Sequence, residues 1–313
     1  MIFLLILFII GIFLLLTCAD LFIDGASILA KRFHISTAAI GFTVVAFGTS
    51  LPEFVISMRA SVSGNSSLVL GNVIGSNVAN IALVLGLCSL LAPHVWRDGH
   101  QRHQGIVLMF IATSVFIFIA LNGTISHIGG AILLFTFAIA LGITWMSSKE
   151  DATDNSESTV ESEGYRDGWM TILGFAGVII GAQMVVSSAE EIAQLFGVSD
   201  FIIGVTIIAI GTSLPELVTS FIAIMRGEFA ISAGNILGSN LFNLLMIVGA
   251  SAMVLPLTIP DINDLVLLAV FTIAVLPLLT GKAIITRVWG GILLIAYFGY
   301  ILYYAGILIS LPK

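Results

Sequence analysis

Long apolar runs separated by short polar or charged stretches recur along the whole chain. Ten can be marked, at about 2–19, 37–60, 68–92, 105–121, 126–146, 169–196, 201–225, 229–256, 265–281 and 289–309. A helix rises about 1.5 Å per residue, so roughly 20 apolar residues cross a bilayer core about 30 Å thick. Strands of a membrane barrel would be about 10 residues long and alternate in polarity. These runs do neither. The pattern predicts an all-α polytopic membrane protein with ten transmembrane helices.

Composition agrees with that pattern. The 313 residues are 58% hydrophobic and 9% charged, with a mean hydropathy of +1.14. That is too apolar for an ordinary soluble core. The first run, "MIFLLILFIIGIFLLLTCAD", has neither a basic leading region nor a clear small-residue cleavage site, so it predicts a retained helix. Cys18 and Cys88 lie in apolar context and read as packing residues rather than a disulfide framework.

Charge adds an orientation. With the N-terminus outside, nine of the eleven Lys and Arg residues fall on the cytoplasmic side; only Arg59 and Lys313 do not. The expectation is a multi-pass protein of the cell (inner) membrane with both termini outside. The net charge of −7 comes mostly from "SSKEDATDNSESTVESEGYRDG" at 147–168. This stretch reads as an acidic, disordered cytoplasmic linker without an EF-hand pattern. It divides the chain into residues 1–146, the linker 147–168, and residues 169–313.

The two flanking parts repeat each other. "IGFTVVAFGTSLPEFVISMRA" at 40–60 matches "IGVTIIAIGTSLPELVTSFIA" at 203–223, an offset of 163 positions. At the same offset, "GNVIGSNVAN" at 71–80 matches "GNILGSNLFN" at 234–243. Five runs precede the linker and five follow it. An odd number per half makes the second half enter from the opposite side, so the prediction is two inverted five-helix repeats. Inverted repeats with interrupted helices mark secondary transporters, whose ion sites lie near the midplane.

The repeated phrase carries its own chemistry. Pro52 lacks an N–H and its ring clashes with the carbonyl of Gly48, and Gly211 and Pro215 repeat this. Each helix should therefore break, near Phe47–Ser50 in the first half. The break should release carbonyls such as those of Ala46, Thr49, Ala209 and Thr212. Exposed to lipid, a bare carbonyl costs several kcal/mol, so such a break belongs beside a cavity. Glu53 and Glu216 directly follow the breaks, and an intramembrane carboxylate is a functional candidate. With the hydroxyls of Thr49, Ser50, Thr212 and Ser213, and the amides of Asn80 and Asn243, they make an all-oxygen set suited to hard cations. No His or Cys lies in either phrase, which argues against zinc or copper. Ser76 and Asn80 share a helix face, as do Ser239 and Asn243. Asn72, Asn77, Asn235 and Asn240 fit either the site or interhelical hydrogen bonding.

"AFGTSLPE" with "GSNVAN", and "AIGTSLPE" with "GSNLFN", resemble the two alpha-repeats of the sodium/calcium exchanger family, within the calcium/cation antiporter superfamily, in its prokaryotic form. The resemblance implies an antiporter exchanging Na+ for Ca2+ by alternating access. It implies Ca2+ held by Glu53 and Glu216 with the carbonyls of Thr49 and Thr212. It implies one Na+ site at Ala46, Thr49, Ser50, Glu53 and Ser76, and a mirror site at Ala209, Thr212, Ser213, Glu216 and Ser239. Asn80 and Asn243 would complete a central subsite. Some members carry aspartate where this chain has Asn243; the neutral residue weakens a potassium-coupled reading. A Ca2+/H+ antiporter on the same scaffold is the alternative, against which the two asparagines also count.

A passive channel fits two buried glutamates in broken helices less well. No nucleophile–base set supports an enzyme. No cofactor is expected beyond the transported Ca2+ and Na+. The expected partners are small inorganic cations and the lipid bilayer, with neither nucleic acid nor an obligate protein partner. Asp20 and Asp24 read as an interfacial end of the first helix, and Glu190 and Glu191 as a similar outer end. His94, His100 and His103 read as solvated residues of a basic loop. The aromatics at 297–304 read as bundle and interface packing.

Overall fold

The computed structural model describes residues 1–93, 100–153, 164–198, 209–280 and 282–304. It is a helical bundle. The helices are α1 (Ile2–Arg32), α2 (Thr37–Thr49), α3 (Leu51–Val62), α4 (Ser66–Leu91), α5 (His100–Ala120) and α6 (His127–Thr153), then α7 (Gly164–Leu195), α8 (Ala209–Thr212), α9 (Leu214–Met225), α10 (Phe229–Val254), α11 (Ile262–Ile273) and α12 (Ala283–Tyr304). Strands β1 (Thr124–Ile125) and β2 (Leu257–Thr258) pair antiparallel, with Thr124 opposite Thr258.

Among the described residues, eight helices are long and apolar enough to cross a membrane. There are nine if α2 and α3, bent by 48° at their junction, form one span. The first part of the expected seventh run, 201–208, lies outside the described residues, and α9 alone has 12 residues. Large apolar side chains such as Phe13, Phe118, Phe135 and Phe298 are exposed on the outer surface, as lipid contact requires.

Two boundaries differ from expectation. The first helix does not end at 19 but continues to Arg32, with Phe22, Ile23, Ala26 and Ala30 buried along its second half. Asp20 and Asp24 therefore sit within the helix, where Arg226 pairs with both. The buried apolar face of this second half carries the helix on, and Arg226 balances the two carboxylates at its side. The stretch expected as linker is helical at both ends, since α6 continues to Thr153 and α7 begins at Gly164. Residues 154–163 lie outside the described residues.

The main core gathers α4, α5, α10 and α12. The helices α1 and α7 pack closely on each other outside that core, and α1 also packs on α2 and α9. Their seam depends on small residues: a Cβ at Gly174 would lie 2.5 Å from the Phe22 N, and one at Gly181 2.6 Å from the Leu15 N. Such close backbone approach is how helices associate where lipid removes the hydrophobic drive.

Candidate cation site

The first break falls at Ser50, with φ −84° and ψ 6°, between α2 and α3. Ser213 has nearly the same geometry, φ −90° and ψ 9°, before α9. In each half the proline lies in the first turn of the following helix, where its missing N–H leaves no bond unmade. Glu53 and Glu216 lie in those same first turns. Each carboxylate thus stands at the positive end of a helix dipole.

The break frees fewer carbonyls than the sequence predicts. The Ala46 carbonyl accepts the Ser50 N–H at 3.1 Å and the Thr49 hydroxyl at 3.4 Å. The Ser50 carbonyl accepts the Phe54 N–H at 3.1 Å. Among the described backbone bonds across the break, none reaches the Thr49 carbonyl. The reason is the shape of the junction: a single residue leaves helical geometry, so the turn before it still closes. Gly48 has a packing role as well. A Cβ there would lie 3.0 Å from the Phe175 ring of α7 and 3.4 Å from Phe22 of α1.

Thr49, Ser50, Glu53, Ser76, Ser213, Glu216, Ser239, Asn80 and Asn243 are all buried, with Glu53 and Glu216 at 0% exposure. Hydrogen bonds cross between the halves. The Ser50 hydroxyl donates to Glu216 Oε1 at 2.9 Å. The Thr49 hydroxyl donates to Asn235 Oδ1 at 3.1 Å and lies 3.4 Å from Ser239 Oγ. Within the first half, the Ser76 hydroxyl donates to Glu53 Oε1 at 3.4 Å. Thr212 is half-buried, and Ala209 opens α8 with its side chain outside the described residues.

What the cluster leaves unpaired is its main chemical feature. Glu53 Oε2, Glu216 Oε2, the Ser213 hydroxyl, and both amide atoms of Asn80 and of Asn243 have no hydrogen-bond partner among the described residues. Buried polar atoms are rarely left so, and each costs about 1–3 kcal/mol, more where charged. Two carboxylates, a hydroxyl and two amide carbonyls offer hard oxygen donors to a cation.

The four undecided asparagines separate into two roles. Asn72 Nδ2 donates to the Glu53 carbonyl at 3.1 Å and to Ser57 Oγ at 2.9 Å. Asn235 Nδ2 donates to Ser220 Oγ at 2.9 Å, Thr219 Oγ1 at 3.1 Å and the Glu216 carbonyl at 3.4 Å. These two hold the glutamate-bearing turns against α4 and α10. Asn77 and Asn240 instead donate to Val73 and Ile236 of their own helices, at 2.8 and 2.7 Å.

Two features escaped the sequence reading. Ser57 and Ser220 support these asparagines, and they stand four positions after the glutamates in repeat register, a signal available in the sequence. The helices α4 and α10 widen to π geometry at Asn80–Leu85 and Phe242–Ile247. Such turns favour functional sites, and here both carry a candidate asparagine. Of the discounted residues, Glu190 and Glu191 lie on α7, Cys18 and Cys88 are free, and His94 is outside the described residues.

Comparison with known proteins bears on this cluster. The family model described as "Sodium/calcium exchanger protein" matches residues 3–146 and 168–306. Inner membrane protein YrbG of Escherichia coli is 36% identical over 80% of this chain and 79% of its own. Sodium/calcium exchanger MaX1 of Methanosarcina acetivorans is 29% identical over 92% of this chain and 94% of its own. Structures of the sodium-calcium exchanger NCX_Mj superpose with a TM-score of 0.81 at 29% identity, covering all of both chains.

Proposed function

From the premise that the chain belongs to the sodium/calcium exchanger protein family, we propose that it exchanges Na+ for Ca2+ across a membrane by alternating access. The observation that carries this is the pair of fully buried glutamates, each with one carboxylate oxygen unpartnered among the described residues. Two ionised carboxylates out of water are costly unless a cation joins them. One Ca2+ balances both charges, and Na+ ions balance them separately, so the two cations compete for the same oxygens. That competition is what couples their movements.

In this reading Ca2+ lies between Glu53 and Glu216, with the carbonyls of Thr49 and Thr212. One Na+ takes Ala46, Thr49, Ser50, Glu53 and Ser76, and another takes Ala209, Thr212, Ser213, Glu216 and Ser239. Asn80 and Asn243 form the central subsite. The scaffold is ten helices in two inverted repeats, 1–146 and 169–313, joined by 147–168 on the cytoplasmic side, with both termini outside. The matched offset of 163 positions and the matched backbone angles at Ser50 and Ser213 support that arrangement.

Proteoliposomes loaded with Na+ and diluted into Na+-free buffer containing radiolabelled Ca2+ test the reading. Uptake should follow the imposed Na+ gradient. Uptake driven by a proton gradient and indifferent to Na+ would assign the coupling to H+ instead.

A further inference from the structure

The two corners that follow the broken helices have the same backbone and different side chains. At the α9–α10 corner, the N–H groups of Arg226, Gly227 and Glu228 bond the carbonyls of Ile222, Ile224 and Ala223. At the α3–α4 corner, those of Ser63, Gly64 and Asn65 bond the carbonyls of Arg59, Ser61 and Ala60. Every position is displaced by the repeat offset of 163, and the central glycine has φ +79° in one corner and +75° in the other. The corners are therefore the same structural element at two places in the chain.

Their side chains do opposite things. Arg226 reaches across to Asp20 and Asp24 of α1. Glu228 Oε1 accepts a hydrogen bond from the Ser27 hydroxyl of α1 at 2.7 Å. At the other corner the exposed polar groups bond only nearby backbone: the Ser63 hydroxyl donates to the Arg59 carbonyl, and Asn65 Oδ1 accepts the Leu68 N–H of its own helix. On α7, the positions equivalent to Asp20 and Asp24 are Gln183 and Ser187, which bond each other at 2.9 Å. The packing follows suit. The helix α1 packs along α9, whereas among the described residues α7 makes no comparable seam with α3.

We propose that Asp20, Asp24 and Ser27 of α1 with Arg226 and Glu228 form a one-sided latch that fastens α1 to the α9–α10 corner and biases the transporter toward the conformation closed on that face. This rests on the antiport reading, because alternating access requires one helix group to move against another. The helices α1 and α7 contribute no residue to the main core and meet the rest of the bundle through smaller apolar clusters that include Ala223 of α9 and Ile231 of α10, so a polar tie between α1 and the corner adds to the contacts that resist their movement. Inverted repeats alone would leave the two facing states nearly equal, and a charged tie at one corner removes that equality. Exposed or half-exposed ion pairs are individually weak. The expected effect is thus a shift in the ratio of the two states of about two- to fivefold, not an all-or-none block.

Spin labels on Lys31→Cys in α1 and Val107→Cys in α5, with Cys18 and Cys88 replaced by Ala, would report the separation of α1 from the core. The measurement uses full-length protein in lipid without Na+ or Ca2+. Arg226→Gln, or Asp20→Asn with Asp24→Asn where the first variant fails to fold, should lower the population of the parental distance. Exchanging the charges with Arg226→Asp and Asp24→Arg should move it back. Installing the mirror tie with Gln183→Asp, Ser187→Asp and Ser63→Arg should shift the ratio in the same sense as removing the native one. Distance distributions unchanged in the folded Arg226→Gln or Asp20→Asn/Asp24→Asn protein would overturn the latch. Absence of Ca2+ flux in the parent would overturn the antiport reading instead, and the distances are read without any flux.

Discussion

The helices α1 and α10 make opposite use of polarity. Up to Asp20 the first carries no charged side chain, yet only 22% of its most apolar stretch is buried. The stretch Phe229–Val254 includes Ser232, Asn235, Ser239, Asn240 and Asn243, yet 83% of its equivalent stretch is buried. In water that order would be reversed. In a bilayer the apolar helix can face lipid, while polar side chains must find partners within the bundle. The difference teaches where to look: a polar helix at the centre of a membrane bundle is held there by what its side chains bind.

If that is so, damage should scale with distance from the unpaired oxygens. Glu53→Gln and Glu216→Gln should have the largest effect. Removing one charge of a buried cluster costs about 2–5 kcal/mol, so Ca2+ uptake should fall by roughly 30-fold or more. The proteins should still elute from size-exclusion columns as the parent does. Asn243→Asp comes next. It adds a charge to the set, and ligand charge tunes cation affinity. Calcium affinity measured by isothermal titration should rise by about tenfold or more, because about 1.4 kcal/mol is a factor of ten and an added charge a few ångströms from the ion supplies at least that much where the effective dielectric is well below that of water.

Smaller effects should come from the supporting residues. Asn235→Leu leaves the hydroxyls of Thr49 and Ser220 without this partner, at a cost of about 1–3 kcal/mol. Thermal stability should drop, and Asn235→Gln should restore less than the native residue does because the shorter amide fits all four contacts. Phe13→Leu on α1 should be the mildest. The side chain is 68% exposed to the lipid side, and swaps between apolar residues at such positions stay within about 0.5 kcal/mol. Transport assays and melting curves of this variant should match the parent. A large loss there, with little at Asn235, would reverse the comparison.

Much of this was legible in the sequence because the repeat preserves polar residues in register. The break at Ser50, the burial of Glu53 and Glu216, and the paired asparagines follow from two copies of one phrase. Other features were not. The end of α1 is hidden because Asp20 and Asp24 look like a helix end, while the partners that bury Phe22, Ile23 and Ala26 and the Arg226 that pairs with both carboxylates come from far along the chain. Gly48 looks like a source of backbone freedom, but its contact with Phe175 depends on how α7 packs. The π turns at Asn80–Leu85 and Phe242–Ile247 depend on backbone spacing that no residue pattern spells out. Asn77 and Asn240 resemble Asn72 and Asn235 in sequence, and only their hydrogen bonds tell them apart.

The central claim is that Na+ and Ca2+ compete for the oxygens around Glu53 and Glu216. The most direct measurement is 45Ca2+ uptake into proteoliposomes at fixed pH, with the Na+ gradient imposed, abolished and reversed. The account predicts uptake, no net uptake and efflux in that order, and none of the three in Glu53→Gln. Uptake that ignores the Na+ gradient, or that persists in Glu53→Gln, would contradict it.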